Sequence, residues 1–192
     1  MERKKIFPFF ILAAALPIVF SCGNSRAGRQ AERASAGEQA EAPAVDMSQY
    51  MPSLAVGSEV PDFEARDTLG NLFRLSSLRG KPVVVDFWAS WCGDCRREIP
   101  AVKELHAEFA PQGVEFVGMS FDHDEAAWRK CLAESGLAFV QVSNLVKWKE
   151  SPVSSAYDLH WIPTMALVSP EGTLMGFAFT AADMRALLAK VL

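Results

Sequence analysis

The feature that most restricts the fold is the run "KPVVVDFWASWCGDC", residues 81–95. Its β-branched core, bounded by Gly80 and Pro82, predicts a strand buried on both faces. A strand of that kind needs cover on each side, so the flanking sequence must supply helices. Helical spacing begins directly behind it: Ile99, Val102, Leu105 and Phe109 predict a helix over residues 93–109, kinked at Pro100. Cys92 thus falls at the switch from strand to helix, where α/β folds place their sites. Asp86 interrupts the apolar run, and a carboxylate buried without a partner is costly. Its presence there asks for a chemical reason.

The remainder continues the alternation. "DFEARDTLGNLFRLSSL" reads as two brief strands around Leu69-Gly70-Asn71. "VEFVGMSF" is a second core strand, and "DHDEAAWRKCLAESG" a helix opened by an Asp122–Glu125 capping box and stopped at Gly136. "TMALVSPEGTLMGFAF" gives two strands around a Pro-Glu-Gly turn, and "AADMRALLAKVL" a closing helix. The expected class is α/β: a mixed central sheet with helices on both faces, its βαβ unit supplying a parallel pair and its terminal hairpin an antiparallel one.

The N-terminal segment does not belong to that core. Arg3, Lys4 and Lys5 precede an apolar stretch from Ile6 to Phe20. Its 15 residues fall short of the ~20 that a spanning helix needs and fit a secretory signal. Ser21-Cys22 follows, which resembles the lipobox of bacterial lipoproteins and makes Cys22 the expected lipidated residue. Residues 23–52 are rich in Ala, Gly, Glu, Gln and Ser, the composition of a flexible linker. The expected organisation is a leader over 1–22, a linker over 23–52 and one folded domain over 53–192. Export and a lipid anchor place that domain in the cell envelope, facing the periplasm, where disulfides persist.

Composition narrows the partners. A formal net charge of -4 offers no basic field for nucleic acid. The three histidines, His106, His123 and His160, are too far apart in sequence to suggest a histidine-rich metal site. Cys92 and Cys95 stand at i and i+3 at a helix N-terminus, able to close a small disulfide or to hold two thiolates. The helix dipole and free N–H groups there favour a thiolate at Cys92, while Cys95, one turn in, should be more buried and act second. Zinc ribbons also use this spacing, usually with a second pair, and here the other thiols are Cys22 in the leader and Cys131 in a helix. Cys131 shares a helical face with Trp128 and Leu132 and reads as a core thiol.

"VVVDFWASWCGDC", followed by "WIPT" at 161–164, resembles the active-site segment and cis-proline loop of thioredoxin-like proteins. The early hairpin, "CRREIP" and the lipoprotein-type leader resemble their membrane-tethered TlpA/ResA-like branch, over about residues 56–192. The resemblance implies a thioredoxin-like fold with an extra N-terminal hairpin, no cofactor, and protein thiols or disulfides as substrates. It further implies a redox disulfide between Cys92 (attacking) and Cys95 (resolving), flanked by Trp91. Pro163 would be the cis-proline, exposing the backbone of Ile162 to an extended substrate.

Asp86 matches the buried aspartate of thioredoxins, and Glu98 the glutamate of the branch's CxxCxxE pattern. Either could take the proton of Cys95 during resolution. The plain alternatives are a hydrogen-bonded buried carboxyl for Asp86 and an exposed helix residue for Glu98. Two residues depart from the pattern: Asp94 stands where thioredoxin has proline and opposes thiolate formation, and Trp161 replaces a commonly small residue and narrows the substrate groove. The branch implies reducing service toward exported proteins such as apocytochrome c, with electrons from a membrane or periplasmic donor. Two other readings stand beside it. A soft-metal chaperone would use the same two sulfurs, and a peroxidase would place threonine where this chain has Ala89.

Overall fold

The computed structural model describes residues 46–192; the signal segment, Cys22 and residues 23–45 lie outside the described residues. The VVVDFW run forms β3 (Val83–Trp88), buried at all six positions. Its valines pack in both directions, Val84 toward Leu105 and Leu188, Val85 toward Met119 and Tyr157. Full burial of a side chain of this size stabilises by roughly 1.5–3 kcal/mol. That is why β3 sits inside the sheet and not at its edge.

Around it lie β1 (Glu64–Asp67), β2 (Leu72–Arg74), β4 (Glu115–Ser120), β5 (Val140–Ser143), β6 (Thr164–Val168) and β7 (Leu174–Ala178). The seven strands run in the order β2-β1-β5-β4-β3-β6-β7. β3, β4 and β5 are parallel, while β1, β2, β6 and β7 pair antiparallel with their neighbours. The mixed sheet is covered by α1 (Gly93–Phe109), α2 (Glu125–Ser135), α3 (Pro152–Ala156) and α4 (Ala181–Val191). The β1–β2 turn is fixed by Asp67, whose Oδ1 accepts the N–H groups of Leu69 and Asn71 at 2.8 Å each.

Several details differ from the sequence expectation. α2 is capped by Asp124, whose carboxylate accepts the N–H groups of Ala126 and Ala127. The expected cap Asp122 is instead drawn inward by three donors and is 1% exposed. Pro100 lies inside α1, which continues through it to Phe109. β5 was not expected, because Gln141 and Ser143 break its apolar pattern. Both are buried, Gln141 accepting from the Trp88 indole and Ser143 donating to the Ser120 carbonyl, each at 3.0 Å. Gly118 makes room for the first of these, since a Cβ there would lie 2.2 Å from the Gln141 amide oxygen.

Residues 47–50, placed in the linker by composition, form a 3₁₀ turn. Tyr50 packs on Trp161 with ring centroids 5.2 Å apart, and the Ser53 N–H donates to Asp158 at 3.0 Å.

Candidate active site

The site assembles at the C-terminal end of β3. The chain leaves Trp88, crosses Ala89–Trp91 and enters α1 with Cys92 as N-cap. Cys92 and Cys95 are joined by a disulfide, their Cα atoms 5.3 Å apart. The Cys95 N–H points at Cys92 Sγ at 3.0 Å, so the first turn of α1 already directs a donor at the sulfur that would carry negative charge after reduction. Cys92 Sγ lies 3.6 Å from the Ile162 carbonyl oxygen. The Ile162–Pro163 peptide is cis. Trp91, the residue directly before Cys92, is half exposed.

Exposure separates the two cysteines less than the helix geometry suggested. Cys92 is 7% and Cys95 3% exposed, so the expected solvent-facing thiol is largely covered while the disulfide is closed. Asp94 pairs with Arg97 one turn on, which offsets part of the charge that it brings between the sulfurs.

Asp86 lies on the strand beneath, 6% exposed. Burial, and secondarily the charge of Glu98, push its carboxyl up to about 7. A carboxylate held in that range can exchange a proton near neutral pH. Glu98 is not the exposed helix residue that its polarity allowed. It is half-buried, and its Oε1 accepts the Ala181 N–H of α4 at 2.6 Å. α4 thereby fixes the acid that acts on Asp86. Nothing in the local sequence pointed to this contact across 83 residues.

Residues farther off fall into place by packing. Cys131 is half-buried and lines a groove between α1 and α2, more accessible than a core thiol. Burial, with the Asp122 charge behind it, pushes its thiol up. His106 packs edge-on against Phe116, and His160 pairs with Asp158 at 3.1 Å. Among the described residues no three His, Cys, Asp or Glu side chains gather as a metal-ligand group, and no helix is long and apolar enough to cross a membrane.

Residues 56–176 match the AhpC/TSA family. The chain belongs to the AhpC/TSA family. Within it, the chain is similar to the thiol-disulfide oxidoreductase ResA of Bacillus subtilis (strain 168), 33% identical over 123 residues, which are 64% of this chain and 66% of the relative. ResA of Geobacillus kaustophilus (strain HTA426) is 35% identical over 120 residues, 62% of this chain and 67% of the relative. These matches span about two thirds of each relative's length. Among solved structures, the thioredoxin domain of a thiol-disulfide oxidoreductase from Bacteroides vulgatus superposes with TM-score 0.67 at 32% identity, covering 72% of this chain and 99% of that one. A thiol:disulfide interchange protein DsbE from Chlorobium tepidum gives TM-score 0.64 at 28% identity, covering 72% and 96%. The family's thioredoxin-like architecture is the mixed seven-stranded sheet described above.

Proposed function

We propose that this chain is a thiol–disulfide oxidoreductase that exchanges the Cys92–Cys95 pair with protein substrates and works in the reducing direction, in the service of exported proteins such as apocytochrome c. The observation that carries the reading is the disulfide itself, closed across the first turn of a helix at the end of a central strand, with the Ile162 carbonyl beside the outer sulfur. The likeness to ResA proteins supports it.

In the reducing cycle the Cys92 thiolate attacks one sulfur of a substrate disulfide. The substrate S–S bond breaks, a mixed disulfide forms, and the departing substrate thiolate takes up a proton. Cys95 then gives its proton to a carboxylate, Asp86 in this reading, and its sulfur attacks Cys92. The second substrate thiol leaves, two electrons have passed to the substrate, and a thiol donor restores the dithiol. Ile162 and Pro163 form the wall along which the substrate backbone lies, and Trp91 flanks the sulfurs. The test is equilibration with mixtures of reduced and oxidised dithiothreitol, followed by alkylation to count free thiols. A two-electron transition lost in Cys92→Ala supports the reading; a pair that cannot be reduced without denaturation sinks it.

The location belongs to the same proposal. Residues 1–22 are the signal region ending at the lipobox cysteine and cleaved just before it, residues 23–52 a tether whose last few residues pack back on the domain, and residues 53–192 the catalytic domain, held by lipid at the membrane and supplied with electrons by a donor there. Cys22→Ala should move the protein from the membrane fraction to the soluble one. Recovery of the wild-type protein in the soluble fraction, without lipid, is the opposite result.

A further inference from the structure

The Cys92 loop shares one end of the sheet with two others. The segments following β3, β4 and β5 leave three parallel strands at the same edge, and all three line one groove of about 310 Å³. Trp91 comes from the first segment, Phe121 and His123 from the second, and Lys147, Trp148 and Lys149 from the third. We propose that this groove binds the part of the protein substrate flanking its reactive cysteine, and that it selects an apolar side chain accompanied by acidic residues. The inference rests on the oxidoreductase reading above and specifies the substrate for it.

Position is the first argument. Trp91 is both a wall of the groove and the residue before Cys92, so a chain joined covalently to Cys92 has its neighbouring residues within reach of this surface. Charge is the second. Lys147 and Lys149 stand against a single carboxylate, Glu150, which lies 4.0 Å from Lys147, so the groove carries a local excess of positive charge on a chain whose net charge is -4. Lys149 is held with its Nζ 3.9 Å over the Trp148 ring centroid, which fixes an ammonium above an apolar floor. An aliphatic or aromatic side chain beside a carboxylate complements that surface, and a basic segment does not.

The third argument is that the groove is braced from below. The Asp122 carboxylate accepts the Ser90 N–H at 2.9 Å, the Ser90 hydroxyl at 2.6 Å and the Ser120 hydroxyl at 2.7 Å. Ser143 donates to the Ser120 carbonyl and accepts the Leu145 N–H, both at 3.0 Å. Leu145 is held at φ 55°, a left-handed conformation that a branched side chain seldom adopts. One buried hydrogen-bonded cluster therefore ties together the loop carrying Trp91 and Cys92, the loop carrying His123, and the loop carrying Lys147 and Trp148. A preformed recognition surface requires that kind of support.

The experiment compares two disulfide-bearing peptides as substrates of the full chain purified in detergent. One peptide places Leu-Glu-Glu beside its cysteine, the other Leu-Lys-Lys. At low ionic strength the acidic peptide should show a KM about fivefold lower, the scale of two exposed charge pairs, and 0.5 M salt should erase the difference. Reversing the floor with Lys147→Glu and Lys149→Glu together should invert the preference. Equal KM values, or a preference unchanged by the reversal, overturn the groove proposal, as does a dimer in light scattering that closes the groove. If neither peptide nor dithiothreitol exchanges with the wild-type cysteines, the oxidoreductase reading has failed instead.

Discussion

Cys95→Ala will stop exchange half way, with the substrate left covalently attached to Cys92. Cys92 caps α1 and receives the Cys95 N–H, whereas Cys95 lies one turn into the helix. On the proposed assignment, removing Cys95 leaves Cys92 able to attack and deletes the resolution of the mixed disulfide by Cys95. Non-reducing gels should show a ladder of adducts with Cys95→Ala and none with Cys92→Ala, and multiple turnover should be lost in both. Equal trapping by the two variants would reverse or abolish the assignment.

The second large effect concerns Asp86. With its carboxyl at about 7, the fraction able to accept the Cys95 proton falls as pH drops through neutrality. Resolution of a preformed mixed disulfide should slow below that point. Asp86→Asn keeps the shape and removes the base, so resolution should slow by up to ~10²-fold and lose that pH dependence, while formation of the mixed disulfide continues. Glu98→Gln is informative in a different way. The Glu98 charge is one of the two causes that raise Asp86. Removing it should shift the midpoint of the resolution profile to lower pH. If Glu98→Gln abolishes resolution and Asp86→Asn does not, Glu98 is the base.

The same carboxyl makes a statement about stability. It binds a proton more tightly folded than unfolded, where its ordinary value is 3.8. Between about pH 4 and pH 7 the native state therefore holds more protons, and stability falls as pH rises through that interval. A displacement from 3.8 to about 7 corresponds to as much as about 4 kcal/mol. Asp86→Asn should flatten this part of the pH dependence in denaturant titrations and be the more stable protein at pH 8. A wild-type profile with no decline over that range would contradict the burial argument.

The parts of this molecule legible from its residues are those whose signals are local. Valine runs, helical spacing and the position of Cys92 between them specify β3 and α1 without reference to anything distant. β5 was hidden because its two polar residues are satisfied by partners on other strands, and no neighbouring residue announces that. Asp122 was assigned to a helix cap on spacing alone, but Ser90 and Ser120 offer it stronger bonds than a helix start does. Glu98 is a candidate by its spacing, three residues after Cys95 on the same helical face, and by the resemblance, while the bond that holds it comes from α4. Polar groups buried by long-range contacts give no periodic signal, and at this site they are the ones that set the chemistry.

The bond from Ala181 to Glu98 also sets an order of events during biosynthesis. Cys92, Cys95 and Glu98 are all synthesised well before Ala181. Until α4 has emerged and docked, the two sulfurs are present but the acid beside them is not held. Chains that have not yet reached Ala181 therefore lack the bond that holds Glu98, and the charge that helps to raise the Asp86 carboxyl is not yet fixed in place.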